Sequence, residues 1–223
     1  MELYIDGFLV ALKGVPVTVG VSIFAVALGA ILGLGLALMK ISKVKIVSII
    51  AKVYIDIVRG TPLIVQALIM AYGIPQVVQS YGVDWRWSAL VIPAMIVCGL
   101  NSAAYMAEVI RGGLQAIDDG QMEAARSLGM SHGMAMKLII IPQAFKIILP
   151  AFGNEFVTLI KETSVLSYVG VLEILRRGTL WNSTTFETFP AYIGVACVYL
   201  LLTIPLSKVV TMMEKKMSQG KDE

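Results

Sequence analysis

The chain has 223 residues and a formal net charge of only +3, with 57% hydrophobic and 15% charged residues. Ordinary soluble domains contain about 25% charged residues, so this composition excludes a soluble globular protein. It indicates a single transmembrane domain over residues 1–223, embedded in a lipid bilayer, with no sign of a nucleic-acid partner. Cys98 and Cys197 both fall inside apolar stretches, so we expect packing residues there rather than a disulfide or a metal site.

The first predicted span is Gly14–Met39, whose 26 residues carry no charge. About 20 apolar residues suffice for a helix to cross a bilayer. Within this span, Gly29 and Gly33 form a GxxxG pair, which permits another helix to approach closely. Glycine is also frequent in membrane helices generally, so both interpretations of the pair stay open at this stage.

A second helix is predicted to begin near Lys45, after a short basic turn. It carries Lys52, Asp56 and Arg59 at spacings of four and three, which place them on one face. Such side chains can form a ladder of salt bridges. We interpret the ladder as support for the membrane boundary rather than as a substrate contact.

The second span, Gly60–Val83, is charge-free and is predicted to be a broken helix. Pro62 interrupts it because proline has no backbone N–H, and a second break is predicted at Gly73–Pro75. Broken helices are tolerated in a membrane where they lie inside protein or line a cavity. We therefore place a candidate gate, formed by Arg59, Thr61 and Pro62, near the cytoplasmic side.

The third predicted span is Trp87–Glu108. Four of its polar or reactive residues fall within a sector of about 80° on a helical wheel. They are Cys98, Asn101, Tyr105 and Glu108.

Residues 118–142, between the third and fourth spans, form a polar loop. Asp118 is predicted to cap a short helix, and Gln121 to complete a capping box with it. Gly129 is predicted to end that helix in the left-handed conformation. The small alanine side chains between these two ends let a partner's surface come close to the backbone.

The fourth predicted span, Leu138–Val171, is unusually polar. A helical wheel puts its polar side chains within a sector of about 120°. Charge at bilayer depth costs about 2.5–3.5 kcal/mol per residue, so this stripe must face a protein interior or a water-filled cavity. The stripe consists of Asn154, Glu155, Thr158, Lys161 and Glu162.

The last part of the chain contains three predicted segments. Glu173–Phe189 is a polar segment, Thr188–Ser207 is a charge-free fifth span, and Lys208–Glu223 is a charged, frayed tail. The predicted fold class is therefore an all-α membrane protein with five transmembrane helices.

Residues 118–142 resemble the EAA loop of permease subunits in binding-protein-dependent ABC importers. The family pattern is Glu-Ala-Ala, three residues, Gly, nine residues, Ile, any residue, Leu, Pro. This chain has Glu123-Ala124-Ala125, Gly129, Ile139 and Pro142, with Ile141 in place of Leu. In the family, the loop contains a cytoplasmic coupling helix that docks in a groove of the ATPase subunit. The resemblance implies that role for Glu123, Ala124, Ala125, Leu128 and Gly129.

From about Leu9 to Leu206 the chain is similar to the permeases for polar amino acids, with RGTPLIVQ and LPAFGNEFVTLIKETSVLSYVGVLEILRRG carrying the likeness. The resemblance implies a type I importer permease fold in a prokaryotic-type cell (inner) membrane. It also implies three kinds of protein partner: an ATPase dimer, a second permease copy or paralogue, and an extracellular solute-binding protein. The chain contains no GxxxxGK[ST] loop, so we expect ATP and magnesium on the ATPase, no cofactor here, and no enzyme activity.

An amino-acid substrate requires donors and acceptors in a partly dry cavity. The candidate contacts are Asn101, Asn154, Glu155, Thr158, Lys161 and Glu162. The surplus of carboxylates suggests a cationic amino acid such as arginine, lysine or histidine. Alternatively, Lys161 pairs with the two glutamates and holds a dimer or gate together.

Lysine and arginine counts predict the orientation, because cytoplasmic loops carry an excess of both. Twelve of them fall on one side of the five spans: Lys40, Lys43, Lys45, Lys52, Arg111, Arg126, Lys137, Lys146, Lys208, Lys215, Lys216 and Lys221. Four fall on the other side: Lys13, Arg86, Arg176 and Arg177. This asymmetry predicts an external N-terminus and a cytoplasmic C-terminus.

A second class of function competes with the importer. In an ion-coupled secondary transporter, Glu155, Lys161 and Glu162 would form an ion or proton relay without ATP. Uptake that survives ATP depletion but collapses with an ionophore would favour this class.

Overall fold

The computed structural model describes residues 1–218, and within them the secondary structure is entirely helical. Five stretches of helix are long and apolar enough to cross a membrane. This confirms the predicted all-α architecture with five spans. The helices are α1 (Glu2–Leu12), α2 (Val15–Lys40), α3 (Lys45–Gly60), α4 (Leu63–Leu68), α5 (Ile74–Ser80), α6 (Val91–Gln115), α7 (Asp119–Ser127), α8 (His132–Ala135), α9 (Ile141–Glu162), α10 (Ile174–Thr185) and α11 (Thr188–Ser218).

Helices α2 and α6 form the most extensive pairing in the fold, and glycines make it possible. A Cβ atom at Gly33 would lie 2.6 Å from the Cβ of Met106 on α6. One at Gly29 would lie 2.6 Å from the hydroxyl oxygen of Ser102. The GxxxG pair is therefore a close-contact face, as one of its two interpretations predicted.

A charged cluster joins α2 to α6 at the end of the first span. The Lys40 ammonium donates to the Glu108 carboxylate, which also accepts from the Arg111 guanidinium at 2.8 Å. The Ser48 hydroxyl of α3 donates to the Lys40 carbonyl at 2.8 Å. Three helices are thus tied together at this end of the domain.

The predicted salt-bridge ladder on α3 is wrong. Lys52 and Asp56 are exposed, and neither forms an ion pair within residues 1–218. The Arg59 guanidinium instead lies 5.3 Å from the centroid of the Tyr105 ring on α6. Exposed ion pairs contribute little free energy, so packing against α6 decides where the Arg59 side chain lies.

The second span is broken once, at the predicted position. Helix α3 ends at Gly60, Thr61 and Pro62 are extended, and α4 begins at Leu63. The second predicted break is wrong, because Ile69–Gly73 is a π-helical turn that continues into α5. Pro75 lies in the first turn of α5, where a missing N–H is tolerated, and the wider turn accommodates it.

The fourth span begins earlier than predicted. Like the second span, it contains a π-helical turn followed by a helix with proline in its first turn. Helix α8 leads through a π-helical turn at Met136–Ile140 into α9, whose first turn contains Pro142. The span closes in a 3₁₀ stretch at Thr163–Val169, followed by Gly170 with φ of 91°. The fourth crossing is therefore one long helical rod rather than a helix that starts at Leu138.

The last predicted segments are more ordered than the sequence indicated. The polar segment Glu173–Phe189 contains α10, and the charged tail is helical as far as Ser218 because α11 runs 31 residues without a break. Residues 219–223 of the predicted tail lie outside the described residues. Helices α1, α10 and α11 pack together, and α1 was not predicted at all.

Candidate functional site

Helix α7 lies between the third and fourth spans, and its first turn is capped by a side chain. The Asp118 carboxylate accepts a hydrogen bond from the Gly120 N–H at 2.8 Å, which confirms the predicted N-cap. The predicted capping box is not formed. The Gln121 side chain instead accepts a hydrogen bond from Gln143 on α9 at 3.3 Å, and so ties α7 to α9.

The other end of α7 is closed by backbone geometry. The Met130 N–H donates to the Ala125 carbonyl at 3.1 Å, and the Gly129 N–H donates to the Arg126 carbonyl at 3.0 Å. This pair of bonds is a Schellman motif, and it requires the left-handed conformation at Gly129, where φ is 83°. Glycine adopts that conformation without steric cost, which confirms the predicted C-terminal end.

The five predicted coupling residues separate into an outer and an inner group. Glu123, Ala124 and Gly129 are exposed, and Leu128 is 84% exposed at the tip of the helix. Ala125 is the buried residue of α7, only 1% exposed. Helix α7 therefore presents a polar face with one apolar tip, while Ala125 supports it from the inner side.

Helix α7 is attached directly to the base of the fourth span. It packs on α8 and on the π-helical turn at Met136–Ile140. The Arg126 guanidinium donates to the Met130 carbonyl at 2.9 Å, and the Ser131 hydroxyl caps α8 by accepting from the Met134 N–H at 3.2 Å. Helix α7 is therefore joined to α9 by this packing and by the Gln121–Gln143 hydrogen bond.

The polar stripe of the fourth span divides into two parts. Glu155, Thr158 and Glu162 are half-buried, whereas Asn154 and Lys161 are exposed. Within residues 1–218, Lys161 forms no ion pair with either glutamate. The chain by itself therefore does not form the predicted Lys161–glutamate pairing.

Asn154 lies away from the interior part of the stripe. Its side-chain amide donates to the Glu214 carboxylate of α11 at 3.0 Å. This contact holds α9 against the helical extension of the fifth span. Asn154 thus forms a helix–helix contact within the chain.

Glu155 has a neighbour that the sequence did not single out. The carboxylate lies beside the hydroxyl group of Ser102 on α6. The Ser102 oxygen is buried, and within the described chain it makes no hydrogen bond. Its only sequence signal was a serine directly after Asn101 in an apolar span.

Asn101 itself forms a hydrogen bond within the chain. It is 4% exposed, and its side-chain amide nitrogen donates to the side-chain oxygen Oε1 of Gln66 at 3.1 Å. Gln66 was also not singled out, although it is the one amide in the apolar stretch that follows Pro62. The Gln66 amide nitrogen donates in turn to the Val58 carbonyl at 2.8 Å and to the Thr61 hydroxyl at 2.9 Å.

Of the three candidate gate residues, Thr61 is hydrogen-bonded to the Gln66 side chain. The Thr61 hydroxyl donates to the Ile57 carbonyl at 2.9 Å, which closes the end of α3, and Pro62 begins α4. Gln66 spans the break between these helices, while Arg59 lies outside it on the Tyr105 ring. The break is a hydrogen-bonded joint connected to α6.

Neither cysteine takes part in a pair. Cys98 is buried and Cys197 is exposed, and both are free thiols. Across residues 1–218, no group of three or more histidine, cysteine, aspartate or glutamate side chains is placed to hold a metal ion.

Comparison with known proteins gives consistent matches over most of the chain. The family described as "Binding-protein-dependent transport system inner membrane component" matches residues 8–219. The arginine transport system permease protein ArtQ of Bacillus subtilis is 37% identical over 209 residues, which cover 94% of this chain and 93% of ArtQ. The putative glutamine transport system permease protein GlnP of Rickettsia prowazekii is 36% identical over 214 residues, with 96% and 95% covered.

Solved structures give the same result. The crystal structure of an amino acid ABC transporter with histidines shares 40% identity, with a TM-score of 0.81 over 96% of this chain and 94% of that chain. Inward-facing MetNI, a methionine ABC transporter, shares 18% identity with a TM-score of 0.67 over 97% of both chains. The second likeness concerns the fold alone.

Proposed function

The chain belongs to the family of binding-protein-dependent transport system inner membrane components, and from this membership we propose that it forms half of the pathway of an ATP-driven amino-acid importer. It is a multi-pass protein of the cell membrane with the type I permease fold, and a transport subunit rather than an enzyme. Its family membership decides against the ion-coupled secondary transporter. One observation carries the proposal: α7 is capped at both ends, attached to the base of α9, and tipped by exposed Leu128.

Helix α7 is the coupling helix in this proposal. Leu128 enters an apolar groove of the ATPase subunit, while Glu123 and Ala124 line the contact and Gly129 sets the turn that presents Leu128. Ala125 supports the helix from within. ATP and magnesium bind to the ATPase, and this chain supplies the surface that follows its movement.

Nucleotide binding is converted into a change of access. When ATP draws two ATPase subunits together, each α7 moves with its subunit and pulls α9 through the π-helical turn and the Gln121–Gln143 hydrogen bond. The membrane helices then exchange an inward-open for an outward-open packing, and hydrolysis reverses the exchange. ATP drives this shift because it binds the two packings with different affinity.

Two further partners complete the assembly. A second permease copy, or a paralogue, supplies the other half of the pathway, and an extracellular solute-binding protein delivers the substrate.

The excess of lysine and arginine on one side of the spans supports a cytoplasmic α7 and an external N-terminus. The hydrogen-bonded joint at Thr61, Pro62 and Gln66, with Arg59 beside it, forms the gate on the cytoplasmic side.

The substrate in this proposal is a cationic amino acid. Glu155 and Glu162 lie half-buried on one helix, and within residues 1–218 neither pairs with a cation. Two carboxylates without a counter-ion attract a positively charged ligand, since unpaired buried charge is costly. Thr158 and the free Ser102 hydroxyl offer neutral contacts, and Lys161 offers a donor for the substrate carboxylate.

The names of the relatives do not distinguish a cationic from a neutral amino-acid substrate, since they include an arginine and a glutamine system. The two half-buried carboxylates favour the cationic class. Asn101 and Asn154 remain candidate contacts in this proposal, although within the chain their amides also bond to Gln66 and Glu214.

Uptake into proteoliposomes tests the proposal. The complete complex is reconstituted with its binding protein, and uptake of radiolabelled arginine and glutamine is compared. We expect arginine to be preferred, and Glu155→Gln to raise the KM for arginine by about tenfold or more, the cost of losing one charge-assisted hydrogen bond. Glu187→Gln, in the loop before α11, is the matched control. Equal transport of both amino acids, unchanged in Glu155→Gln, would overturn the substrate assignment.

A further inference from the structure

A groove of about 510 Å³ opens on the outer surface of the domain, between α2, α6 and the first turns of α9. All of its lining side chains are apolar, and several are well exposed: Ile31 by 71%, Leu34 by 49% and Phe145 by 55%. The groove is therefore bounded on three sides by helices and open on the fourth side to whatever surrounds the protein.

One end of the groove lies near the ends of the three helices that form it. Ile41 lies just beyond α2, Leu114 near the end of α6, and Met136 at the base of the fourth span. Lys43 follows Ile41 by two residues, and Lys137 follows Met136 directly. Both lysines are exposed, and within residues 1–218 neither takes part in an ion pair.

We propose that the groove binds one acyl chain of an anionic phospholipid, with its headgroup phosphate at Lys43 and Lys137. The assignment to the cytoplasmic leaflet rests on the orientation given under the proposed function. Acyl chains are already in an apolar solvent, so burial in the groove gains little hydrophobic free energy. Selective binding must come from close packing against three helices and from attraction between the headgroup and the lysines.

A lipid in this groove would contact the segments that move in the proposed transport cycle. Met136 lies in the π-helical turn against which α7 packs, and Ile141 begins α9. A chain bound between these residues and Leu34 on α2 contacts the base of the fourth span directly. An anionic lipid bound here would therefore favour one of the two packings of the membrane helices between which the movement of α7 switches.

Native mass spectrometry of the purified full-length chain tests the proposal without any transport assay. The chain is equilibrated with equal amounts of phosphatidylglycerol and phosphatidylcholine that carry identical acyl chains. We expect phosphatidylglycerol to be retained about tenfold over phosphatidylcholine. Lys43→Gln/Lys137→Gln should bring the ratio close to one, and Lys43→Arg/Lys137→Arg should preserve it. Lys52→Gln/Lys208→Gln, which removes two exposed lysines elsewhere, should leave the ratio unchanged.

A second variant tests the groove itself. Leu34→Trp fills it with an apolar side chain and should lower retention of both lipids severalfold. Ile23→Trp, at an exposed position of the same helix outside the groove, should not. Equal retention of both lipids in the wild type, or no effect of Leu34→Trp, would overturn the proposal.

Occupation of the groove by a second copy of the chain would also overturn it. In a Cys197→Ser background, Leu34→Cys would then form cross-linked dimers under mild oxidation. Because none of these measurements involves an ATPase or a substrate, failure of the lipid site leaves the transport function untouched, and loss of transport leaves the lipid site untouched.

Discussion

The side-chain amide of Asn101 donates a hydrogen bond to the side-chain oxygen Oε1 of Gln66 over 3.1 Å, and so joins the third span to the broken second span. The Gln66 amide nitrogen also reaches the last turn of α3 and the Thr61 hydroxyl. One glutamine thus satisfies backbone groups that the break at Pro62 leaves free, and connects the joint to α6.

Replacing Gln66 by leucine should weaken this joint. The Asn101 amide would be left buried without a partner, which costs about 1–3 kcal/mol. We expect a lower thermal unfolding midpoint for Gln66→Leu in detergent. Gln76→Leu, at an exposed position on α5, is the control and should leave the midpoint unchanged. Equal midpoints for the two variants would show that the Asn101 bond does not support the fold.

Local signals in the sequence were sufficient to predict α7 and the break at Pro62. Asp118, Gly129 and Pro62 act on their own neighbours, through a cap, a left-handed turn and a missing N–H. The role of Gln66 depends on Asn101, which is 35 residues away. No local pattern contains that contact, so the sequence alone did not predict the bond between Asn101 and Gln66.

The close pairing of α2 and α6 predicts opposite outcomes for two glycines of one helix. Gly33→Ala should destabilise the protein by about 1–3 kcal/mol, because the new Cβ would meet Met106 at 2.6 Å and the Ala103 carbonyl at 3.0 Å. Gly35→Ala meets nothing within 4 Å and should be neutral or stabilising by up to about 1 kcal/mol. Thermal unfolding of both variants measures the difference, and a loss of equal size in both would contradict the packing.

A buried carboxyl before α10 predicts a pH dependence of stability. Burial raises the pKa of the Glu173 carboxyl, although hydrogen bonds from Leu175, Arg176 and Tyr199 oppose the shift. The stabilising contribution of Glu173 is therefore fully present below its unfolded-state pKa of about 4.3, and it is lost as pH rises through its higher folded-state pKa. The thermal unfolding midpoint of the wild type, measured relative to that of Glu173→Gln, should therefore fall between about pH 4 and about pH 8. Glu187→Gln, used as a control, should not reproduce that trend.

Helix α10 was missed because its stabilising contacts are tertiary. Its N-cap is Glu173, which is fully buried and also accepts a hydrogen bond from the Tyr199 hydroxyl at 2.9 Å. Glutamate is not among the residues preferred at an N-cap, so it gave no start signal. The helical extension of α11 was missed for a similar reason, since its Glu214 accepts a hydrogen bond from Asn154 on a distant part of the chain.

The exposed tip of α7 predicts a selective loss of partner binding. Leu128→Glu should leave the stability of the chain within about 0.5 kcal/mol of the wild type, because the side chain is 84% exposed. It should weaken binding of the ATPase subunit by about tenfold or more, since a charge would replace an apolar anchor. Binding of purified subunits measures the effect. Val83→Glu, in the loop after α5, is the control, and equal ATPase binding by both variants would remove Leu128 from the contact.

In the proposed importer, α7 lies in the cytoplasm and docks on the ATPase subunit. Labelling of Leu128→Cys, in a Cys197→Ser background, with a membrane-impermeant maleimide tests both statements. We predict labelling in inside-out vesicles but not in right-side-out vesicles, and protection when the ATPase subunit is bound. Labelling from the outside, or an equal labelling rate with and without the bound ATPase, would contradict the account.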